Sequence, residues 1–372
     1  MSNWPFISVV VPVYNEADDI EELILSLLAL DYPADRHEII IIDNGSTDNT
    51  LQIIKKYPVT LLEEREKRGA SAARNKGIRQ AKGEIIAFID ADCVATSDWL
   101  KKLVVDHDDL TIGAFAGEVK GCEPVYTKVQ AVYNFHRNLS PFIYQNLPNG
   151  ERQAVLKKRP PIYPLTALER LWARLGLTNY HQKHSFPPMH TAPTANVAYR
   201  KAVFEEIGLF DLSLLRGQDP DLAYRMQLHS NYRFHPAPEA IVYHKHETTF
   251  AQVFSHQQLY GLGWVLHIDK YVGLNSTVRR QVLLESCLNI IFGIPNFMVM
   301  LGVRGIRSVM REQPYSVYLY EPLVFWVKDL AHNYGRIKAC LSGISAQKQS
   351  TLDDNQKTAP RLKNKKNLNV VQ

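Results

Sequence analysis

Two aspartates follow directly after an apolar run in the first third of the chain. The run covers residues 85–89 and ends at Asp90-Ala91-Asp92. Ligands of open α/β sheets bind outside the carboxyl ends of the strands, so a buried strand that ends in two carboxylates is placed to meet a cation. Oxygen ligands shared between protein and substrate phosphates suit a hard divalent cation. Taken alone, the motif is equally compatible with a turn that carries two acids.

Polar loops follow two other predicted strands. Residues 11–16, Val-Pro-Val-Tyr-Asn-Glu, end the first strand, and residues 43–48, Asp-Asn-Gly-Ser-Thr-Asp, end the second. A carboxylate at a strand end can accept a hydrogen bond from a base N–H or a ribose hydroxyl, and Asp43 stands at such a position. The alternative is an Asx turn or a helix cap, which Asn44 and Ser46 could equally supply.

A basic loop precedes the third helical pattern. Residues 67–71, Lys-Arg-Gly-Ala-Ser, lead into a helix that carries Arg74. Positive side chains together with a helix N-terminus favour binding of a diphosphate. A solvated helix face is the alternative for Arg74.

The second half of the chain adds an aspartate and two histidines. Asp219 follows a glycine turn and starts a helix with Pro220 at its first position. Asp219 is therefore predicted to be the N-cap, and a cap would also fix the carboxylate for general-base chemistry. His244 and His246 flank a lysine at the end of another strand, where they could be structural or metal ligands.

Strand and helix patterns alternate through the first third of the chain. This alternation, with near-continuous apolar strands, predicts an α/β fold with a mostly parallel, Rossmann-like sheet and helices on both faces. The predicted strands are residues 7–13, 38–42, 59–62, 84–89 and 195–200. The predicted helices are residues 21–30, 50–57, 71–81 with Ser71 as N-cap, 97–105 and 201–208.

Composition limits the class of protein. The 372 residues suffice for one large domain or two, and the net charge of +5 with a pI of about 8.8 is too diffuse to indicate a nucleic-acid partner. The four cysteines lack metal-ligand spacing and are typical of reduced thiols in a cytosolic protein. Residues 1–6 carry no basic region of the kind that opens a signal peptide.

The motifs together resemble family 2 glycosyltransferases, which use nucleotide-diphosphate sugars and have the A-type glycosyltransferase fold. The resemblance covers residues 7–270. It is carried by VPVYNE (11–16), DNGSTD (43–48), GASAARNKG (69–77), DADC (90–93) and GQDPDLAYR (217–225), which occur in the family's order.

The resemblance implies a role for each matching residue. The nucleoside pocket would be lined by Pro12, Tyr14, Glu16 and Asp43. Arg74 would lie near the nucleotide and Asp90 near the ribose or sugar. Asp92 would bind Mg²⁺ or Mn²⁺, and His244 or His246 would be a further metal ligand. Asp219 would be the catalytic base. One position departs from the family pattern, because Gln218 stands where an acid usually precedes the base.

The implied activity is transfer of a sugar, with inversion, to a hydroxyl acceptor in polysaccharide or glycolipid synthesis. A UDP-sugar is the favoured donor, and the acceptor is a lipid-linked saccharide, a growing polysaccharide or a protein. The alternative is a non-catalytic scaffold of a membrane polysaccharide-assembly complex, which Gln218 alone supports. A dinucleotide oxidoreductase and a P-loop ATPase are disfavoured because the chain lacks their glycine-rich motifs.

A long apolar segment lies near the C-terminus. Residues 282–303 could span a bilayer, but Glu285, Asn289 and Pro295 interrupt them, so a segment that dips into or lies on the membrane is an equal alternative and a core helix a third. The predicted location is cytoplasmic, with peripheral or monotopic membrane association.

The predicted organisation has three parts. Residues 1–270 form the catalytic domain, residues 271–345 an apolar helical membrane-associating region, and residues 346–372 a disordered basic tail. Within the catalytic domain we expect a nucleotide-sugar half at 1–121, a variable acceptor-side insertion at 122–193 and an acceptor and base half at 194–270.

Overall fold

The computed structural model describes residues 4–122, 127, 129, 190–214, 216–271, 273–311 and 315–342. The strands are β1 (Ile7–Val13), β2 (His37–Asp43), β3 (Thr60–Glu63), β4 (Ile85–Phe88), β5 (Cys93–Ala95), β6 (Ile112–Gly121), β7 (Val197–Arg200) and β8 (Arg233–His244). The helices are α1 (Ile20–Leu28), α2 (Thr50–Ile54), α3 (Ala70–Gln80), α4 (Trp99–Leu103), α5 (Lys201–Ile207), α6 (Gln218–His229), α7 (Phe250–Tyr271), α8 (Ser276–Arg311) and α9 (Tyr315–Leu341). The predicted tail at 346–372 and nearly all of the insertion predicted at 122–193 lie outside the described residues.

The strands form one sheet in the order β3-β2-β1-β4-β7-β6-β8-β5. Neighbouring strands from β3 to β4 are parallel, as are β6 and β8. Strand β7 runs antiparallel to both of its neighbours, and β5 runs antiparallel to β8. The α/β fold with a mostly parallel sheet is therefore confirmed, with antiparallel β7 at the centre of the sheet.

Apolar cores cover both faces of the sheet. In β1, Val9 and Val11 enter the core that contains α1 and α4, whereas Val10 enters the core that contains α3, α5 and α6. Successive side chains of a strand point to opposite faces, so two covered faces require an uninterrupted apolar run. This requirement is why β1 was recognisable from its sequence.

Two predicted helix caps are wrong. Helix α3 begins at Ala70 after Gly69, and α6 begins at Gln218 after Gly217, so neither Ser71 nor Asp219 is an N-cap. The two glycines have φ values of +105° and +84°, which other residues adopt only with strain. The chain thus turns sharply at glycine and each helix starts earlier than its polar side chain suggested.

The C-terminal helices pack closely on one another. A Cβ at Gly261 of α7 would lie 2.0 Å from the carbonyl oxygen of His332 in α9, so only glycine permits this approach. Between α8 and α9, the buried Arg336 pairs with Glu285 at 3.2 Å. Helix α8 continues through Pro295. Within the described part of the chain, no helix is long and apolar enough to cross a membrane.

Candidate active site

The loops after β1 and β2 are tied together by side-chain hydrogen bonds. Asn15 has a φ of 55° and its backbone N–H donates to the hydroxyl of Ser46 at 2.9 Å. The N–H of Glu16 donates to the hydroxyl of Thr50, also at 2.9 Å. Pro12 is buried within β1, whereas Tyr14 is 41% exposed at this edge of the sheet. The two loops therefore form one rigid rim that presents Tyr14 to solvent.

Asp43 and Asn44 organise the neighbouring backbone. The fully buried Asp43 carboxylate accepts hydrogen bonds from the N–H groups of Gly45, at 3.0 Å, and Ser46, at 3.2 Å. Asn44 donates to the carbonyl oxygen of Lys67 at 2.8 Å and accepts from the N–H of Gly69 at 2.6 Å. The Asx turn is therefore made by Asp43 itself, and Asn44 connects it to the loop before α3.

Arg74 is buried and directed into the site. The residue is only 5% exposed, and Nη2 donates to Oδ1 of Asp90 at 2.7 Å. The solvated helix face considered for Arg74 is therefore wrong. Among the buried polar atoms of the described residues that have no hydrogen-bond partner, two belong to α3, namely Nε of Arg74 and Oγ of Ser71. Buried polar atoms are normally hydrogen-bonded, so these two atoms indicate where a polar ligand would bind.

Three side chains that could bind a metal ion converge beside Asp90. One carboxylate oxygen of Asp92 lies 3.4 Å from Nε2 of His244, and Sγ of Cys93 lies 3.7 Å from the other. All three residues offer ligand atoms within 4.8 Å of one another. Burial raises the pKa of Asp92, and the nearby His244 opposes that shift. A buried carboxylate that is costly to ionise alone is stabilised by a bound cation, so the donor set fits a divalent metal.

His246 lies behind His244 rather than beside Asp92. Nδ1 of His246 is 2.9 Å from Nδ1 of His244, while Nε2 of His244 faces Asp92. A second group on the far nitrogen of a ligating histidine fixes the orientation of its ring. The lysine between the histidines, Lys245, points to Asp19 at 2.7 Å.

Asp219 lies in the first turn of α6, where Thr194 holds its carboxylate. The backbone N–H and the hydroxyl of Thr194 each donate to one carboxylate oxygen at 3.1 Å. Burial raises the pKa of Asp219, while the charge of Arg74 and the hydrogen bonds from Thr194 lower it. Asp219 can thus act as a positioned proton acceptor whose pKa is closer to neutrality than that of an exposed aspartate.

Asp90 lies close enough to both Asp92 and Asp219 to influence their ionisation. Its charge contributes to the raised pKa of both Asp92 and Asp219, so the three carboxylates are electrostatic neighbours. With Arg74 they lie near the carboxyl end of β4.

Two residues that contact the site's carboxylates were not predicted from the sequence. Cys93 directly follows Asp92 and its position was a usable signal, whereas Thr194 is 25 residues from Asp219 and gave none.

A family model covers the part of the chain that carries Asp43, Arg74, Asp90 and Asp92. Residues 8–208, more than half of the chain, match the model for glycosyl transferase family 2. The chain belongs to glycosyl transferase family 2. The matched segment includes β1 from its second residue onward, and Asp219 and His244 lie beyond its end. The family resemblance inferred from the sequence motifs is confirmed.

Relatives within the family match parts of their own length. Glycosyltransferase AglE from Haloferax volcanii is 31% identical over 223 residues, which cover 59% of this chain and 60% of that protein. The putative teichuronic acid biosynthesis glycosyltransferase TuaG from Bacillus subtilis is 40% identical over 110 residues, which cover 27% of this chain and 42% of TuaG. The chain therefore spans less than two thirds of the length of these relatives.

A solved structure has the same fold. The mannosyltransferase PcManGT from Pyrobaculum calidifontis superposes with a TM-score of 0.54 at 20% identity, covering 92% of this chain and 89% of that one. That structure is a complex with GDP-Man and Mn²⁺. At this identity the likeness establishes the A-type glycosyltransferase fold for this family 2 member.

Proposed function

We propose that this chain moves a sugar from a nucleotide-diphosphate sugar to a hydroxyl acceptor with inversion of configuration. The observation that carries the proposal is the contact between Arg74 and Asp90 at 2.7 Å. The charges of both residues shift the pKa of Asp219, and the charge of Asp90 also raises the pKa of Asp92. A cation-binding carboxylate, a buried guanidinium and a proton acceptor in one cluster are the parts that sugar transfer from a diphosphate requires.

The donor's diphosphate would meet Arg74 and the start of α3. The buried Nε of Arg74 and Oγ of Ser71 supply donors that the described residues leave unused, and the helix N-terminus adds a favourable dipole. Tyr14, Glu16 and the rim around Asp43 would bound the nucleoside. The family resemblance favours a UDP-sugar as the donor. The GDP-Man bound to PcManGT makes a GDP-sugar the second donor to test.

The divalent cation, Mg²⁺ or Mn²⁺, would be held by Asp92 and His244. When bound, it would stabilise negative charge on the diphosphate leaving group. His246 would keep the ring of His244 turned toward Asp92, at the 2.9 Å separation of their Nδ1 atoms. The Mn²⁺ in the PcManGT complex supports a metal in this fold.

Asp219 would accept the proton of the acceptor hydroxyl as that hydroxyl attacks the anomeric carbon. Its pKa is raised chiefly by burial, which makes it a stronger base than an exposed aspartate, and Thr194 limits its movement. One displacement with one base gives inversion. Gln218, the residue that departs from the family pattern, donates a hydrogen bond to the carbonyl oxygen of Leu214 at 2.9 Å. Its side chain therefore contacts the backbone just before α6. The presence of Asp90, Asp92 and Asp219 argues against the alternative of a non-catalytic scaffold.

The acceptor is proposed to belong to polysaccharide or glycolipid synthesis. The printed name of TuaG, which includes teichuronic acid biosynthesis, supports a polysaccharide role. A lipid-linked saccharide would place the enzyme on the cytoplasmic side of a membrane surface. The division into a catalytic domain at 1–270 and a membrane-associating region at 271–345 remains part of this proposal.

The test compares Asp219→Asn with Asp92→Ala. Nucleotide release from UDP- and GDP-sugars is measured with Mn²⁺, with and without lipid-linked saccharides, and donor binding is measured by calorimetry. Asp219→Asn should bind donor normally and lose about 10²–10⁴-fold in turnover, the usual contribution of a general base. Asp92→Ala should lose the dependence of donor binding on Mn²⁺. Normal turnover in Asp219→Asn, or Mn²⁺-independent binding in the parent protein, would contradict the proposal.

A further inference from the structure

Cys93 places a sulfur atom beside Asp92 and His244, and the family resemblance assigns this sulfur no role. The thiol is 1% exposed, and β5 pairs Cys93 directly opposite His244 of β8. Residues directly opposite in an antiparallel pair have side chains on the same face. The backbone thus fixes the relative position of sulfur and imidazole, and Asp92 is the residue before Cys93.

The distances suit a single ion in contact with all three side chains. Nε2 of His244 lies 3.4 Å from one carboxylate oxygen of Asp92, and Sγ of Cys93 lies 3.7 Å from the other oxygen. Both separations lie in the range expected for neighbouring ligand atoms around an ion with metal–ligand bonds of about 2.0–2.3 Å. The sulfur of Cys93 completes the group within 4.8 Å. One carboxylate, one imidazole and one thiolate would leave at least one coordination position for an oxygen of the diphosphate.

We propose that Cys93, Asp92 and His244 form a three-donor centre that binds thiophilic divalent cations such as Zn²⁺ and Co²⁺ more tightly than Mg²⁺. The inference rests on the proposed function, since it concerns the metal of the same site. Thiolate and imidazole select zinc-like ions, whereas Mg²⁺ prefers oxygen ligands alone. Binding would form a metal–sulfur bond and release the thiol proton to the buffer.

The consequence is that Cys93 determines which metal occupies the site. With the sulfur ligand, Zn²⁺ should displace Mg²⁺ at concentrations at which an all-oxygen site would not respond. Cys93→Ser should lower Zn²⁺ affinity by at least tenfold, since even partners outside the ligand shell are typically worth about 10–100-fold in metal affinity. Mg²⁺ affinity should change less, because a hydroxyl oxygen replaces the sulfur.

The experiment titrates Co²⁺ into the full chain and records absorption. A Co²⁺–thiolate bond produces near-ultraviolet charge-transfer absorption that nitrogen and oxygen ligands do not produce. We expect this band at one equivalent in the parent protein and in Cys340→Ala, a control that removes another buried thiol in α9. Cys93→Ser should lack the band. Circular dichroism verifies that the variants fold, and calorimetry with Zn²⁺ and Mg²⁺ provides the affinities.

The outcomes separate this inference from the proposed function. A parent protein that transfers sugar with Mn²⁺ but shows no charge-transfer band overturns the sulfur ligand and leaves the enzyme proposal standing. A band that persists in Cys93→Ser assigns the thiolate elsewhere and also overturns it. If Co²⁺ and Mn²⁺ both fail to bind, the metal site of the proposed function fails as well.

Discussion

The two aspartates in the first turn of α6 have different roles because they contact different residues. Asp221 is fully buried and contacts Arg225 at 2.9 Å, Lys270 at 2.5 Å and the hydroxyl of Tyr271 at 2.7 Å. Asp219 has no such basic contact among the residues described and instead lies opposite Thr194. Removing one partner of a buried ion pair is costly, so Asp221 serves the stability of α6, and Asp219 is the side chain available for chemistry.

Thr194 is predicted to set the pH range in which Asp219 works. Its hydrogen bonds stabilise the charged carboxylate and so lower the pKa that burial raises. Thr194→Val keeps the shape and removes the hydroxyl, so the pKa of Asp219 should rise further. Because the base must be ionised, activity should be lost at a higher pH as the solution is acidified. The measurement is the acidic limb of the kcat/KM profile.

Rescue by serine distinguishes this effect from structural damage. Thr194→Ser keeps the hydroxyl and should retain the parent profile, whereas Thr194→Val should shift the limb without a matching loss of thermal stability. An unshifted limb in a folded Thr194→Val would show that the hydroxyl does not act on the base.

The residues of the site were only partly predictable from their types. Asp90 and Asp92 were recognisable because they end an apolar strand, and the carboxyl ends of strands collect ligands. The role of Thr194 could not be predicted from the sequence, because its contact with Asp219 depends on how two separate segments of the chain pack together. His246 carried the same signal as His244, and only the ring geometry distinguishes the histidine that faces Asp92 from the one behind it.

At the scale of elements, α3 positions Arg74 by packing against the sheet. A Cβ at Gly77 would lie 2.5 Å from Val10 of β1 and 2.8 Å from Ile42 of β2, so the helix rests directly on the two strands. The side chain of Asn75 also binds the backbone of Phe210 across 135 residues of sequence. The position of Arg74 is thus set by contacts on two sides of α3.

We predict that Gly77→Ala destabilises the protein and weakens donor binding. The added methyl group would force α3 away from β1 and β2, and overpacking of this kind typically costs about 1–3 kcal/mol. Gly302→Ala in α8 is the matched control, since nothing lies within 4 Å of its added Cβ and alanine is favoured over glycine in helices by up to about 1 kcal/mol. Urea unfolding midpoints should move in opposite directions. An unchanged midpoint in Gly77→Ala would mean that α3 has room to adjust.

Strands were predicted better than helix ends for a physical reason. Strand β1 matched its predicted bounds, because two covered faces demand an unbroken apolar run. The starts of α3 and α6 were misplaced because Gly69 and Gly217 end the preceding loops with positive φ values. The start of β8 was hidden by Pro236 and Pro238, although the strand runs from Arg233 to His244 with register shifts against β6.

At the scale of the whole molecule, α7 connects the site to the C-terminal helices. Nε2 of His267 lies 2.6 Å from the carbonyl oxygen of Gly217, at the start of α6, and Lys270 and Tyr271 contact Asp221. The proposed domain boundary at residue 270 therefore divides a network that holds the helix of Asp219. A chain cut at 270 would lose Tyr271 and the helices that cover α7, so the membrane hypothesis is better tested by substitutions than by truncation.

The outer face of α8 is apolar and exposed. Leu284, Ile291, Ile294 and Met298 recur at helical spacing and are 54–60% exposed, whereas Val282 and Ser286 on the inner side are buried. An exposed row of large apolar side chains on a helix is stabilised when another apolar phase covers it. Exposed Arg280 precedes this face, and the net charge of the chain is +5. These features favour an anionic bilayer surface as the covering phase.

We predict that the full chain floats with anionic vesicles in a density gradient and that Ile291→Ser with Ile294→Ser abolishes flotation. Each substitution removes apolar surface worth up to about 1.5–3 kcal/mol when fully buried, so the pair should weaken binding by at least tenfold. Leu110→Ser is the control, because Leu110 is 73% exposed but lies before β6, far along the chain from α8. Vesicles of zwitterionic lipid should bind less than anionic ones, since Arg280 then lacks its partner. Equal flotation of the parent and the double variant, or none by the parent, would contradict lipid as the phase that covers the exposed face of α8.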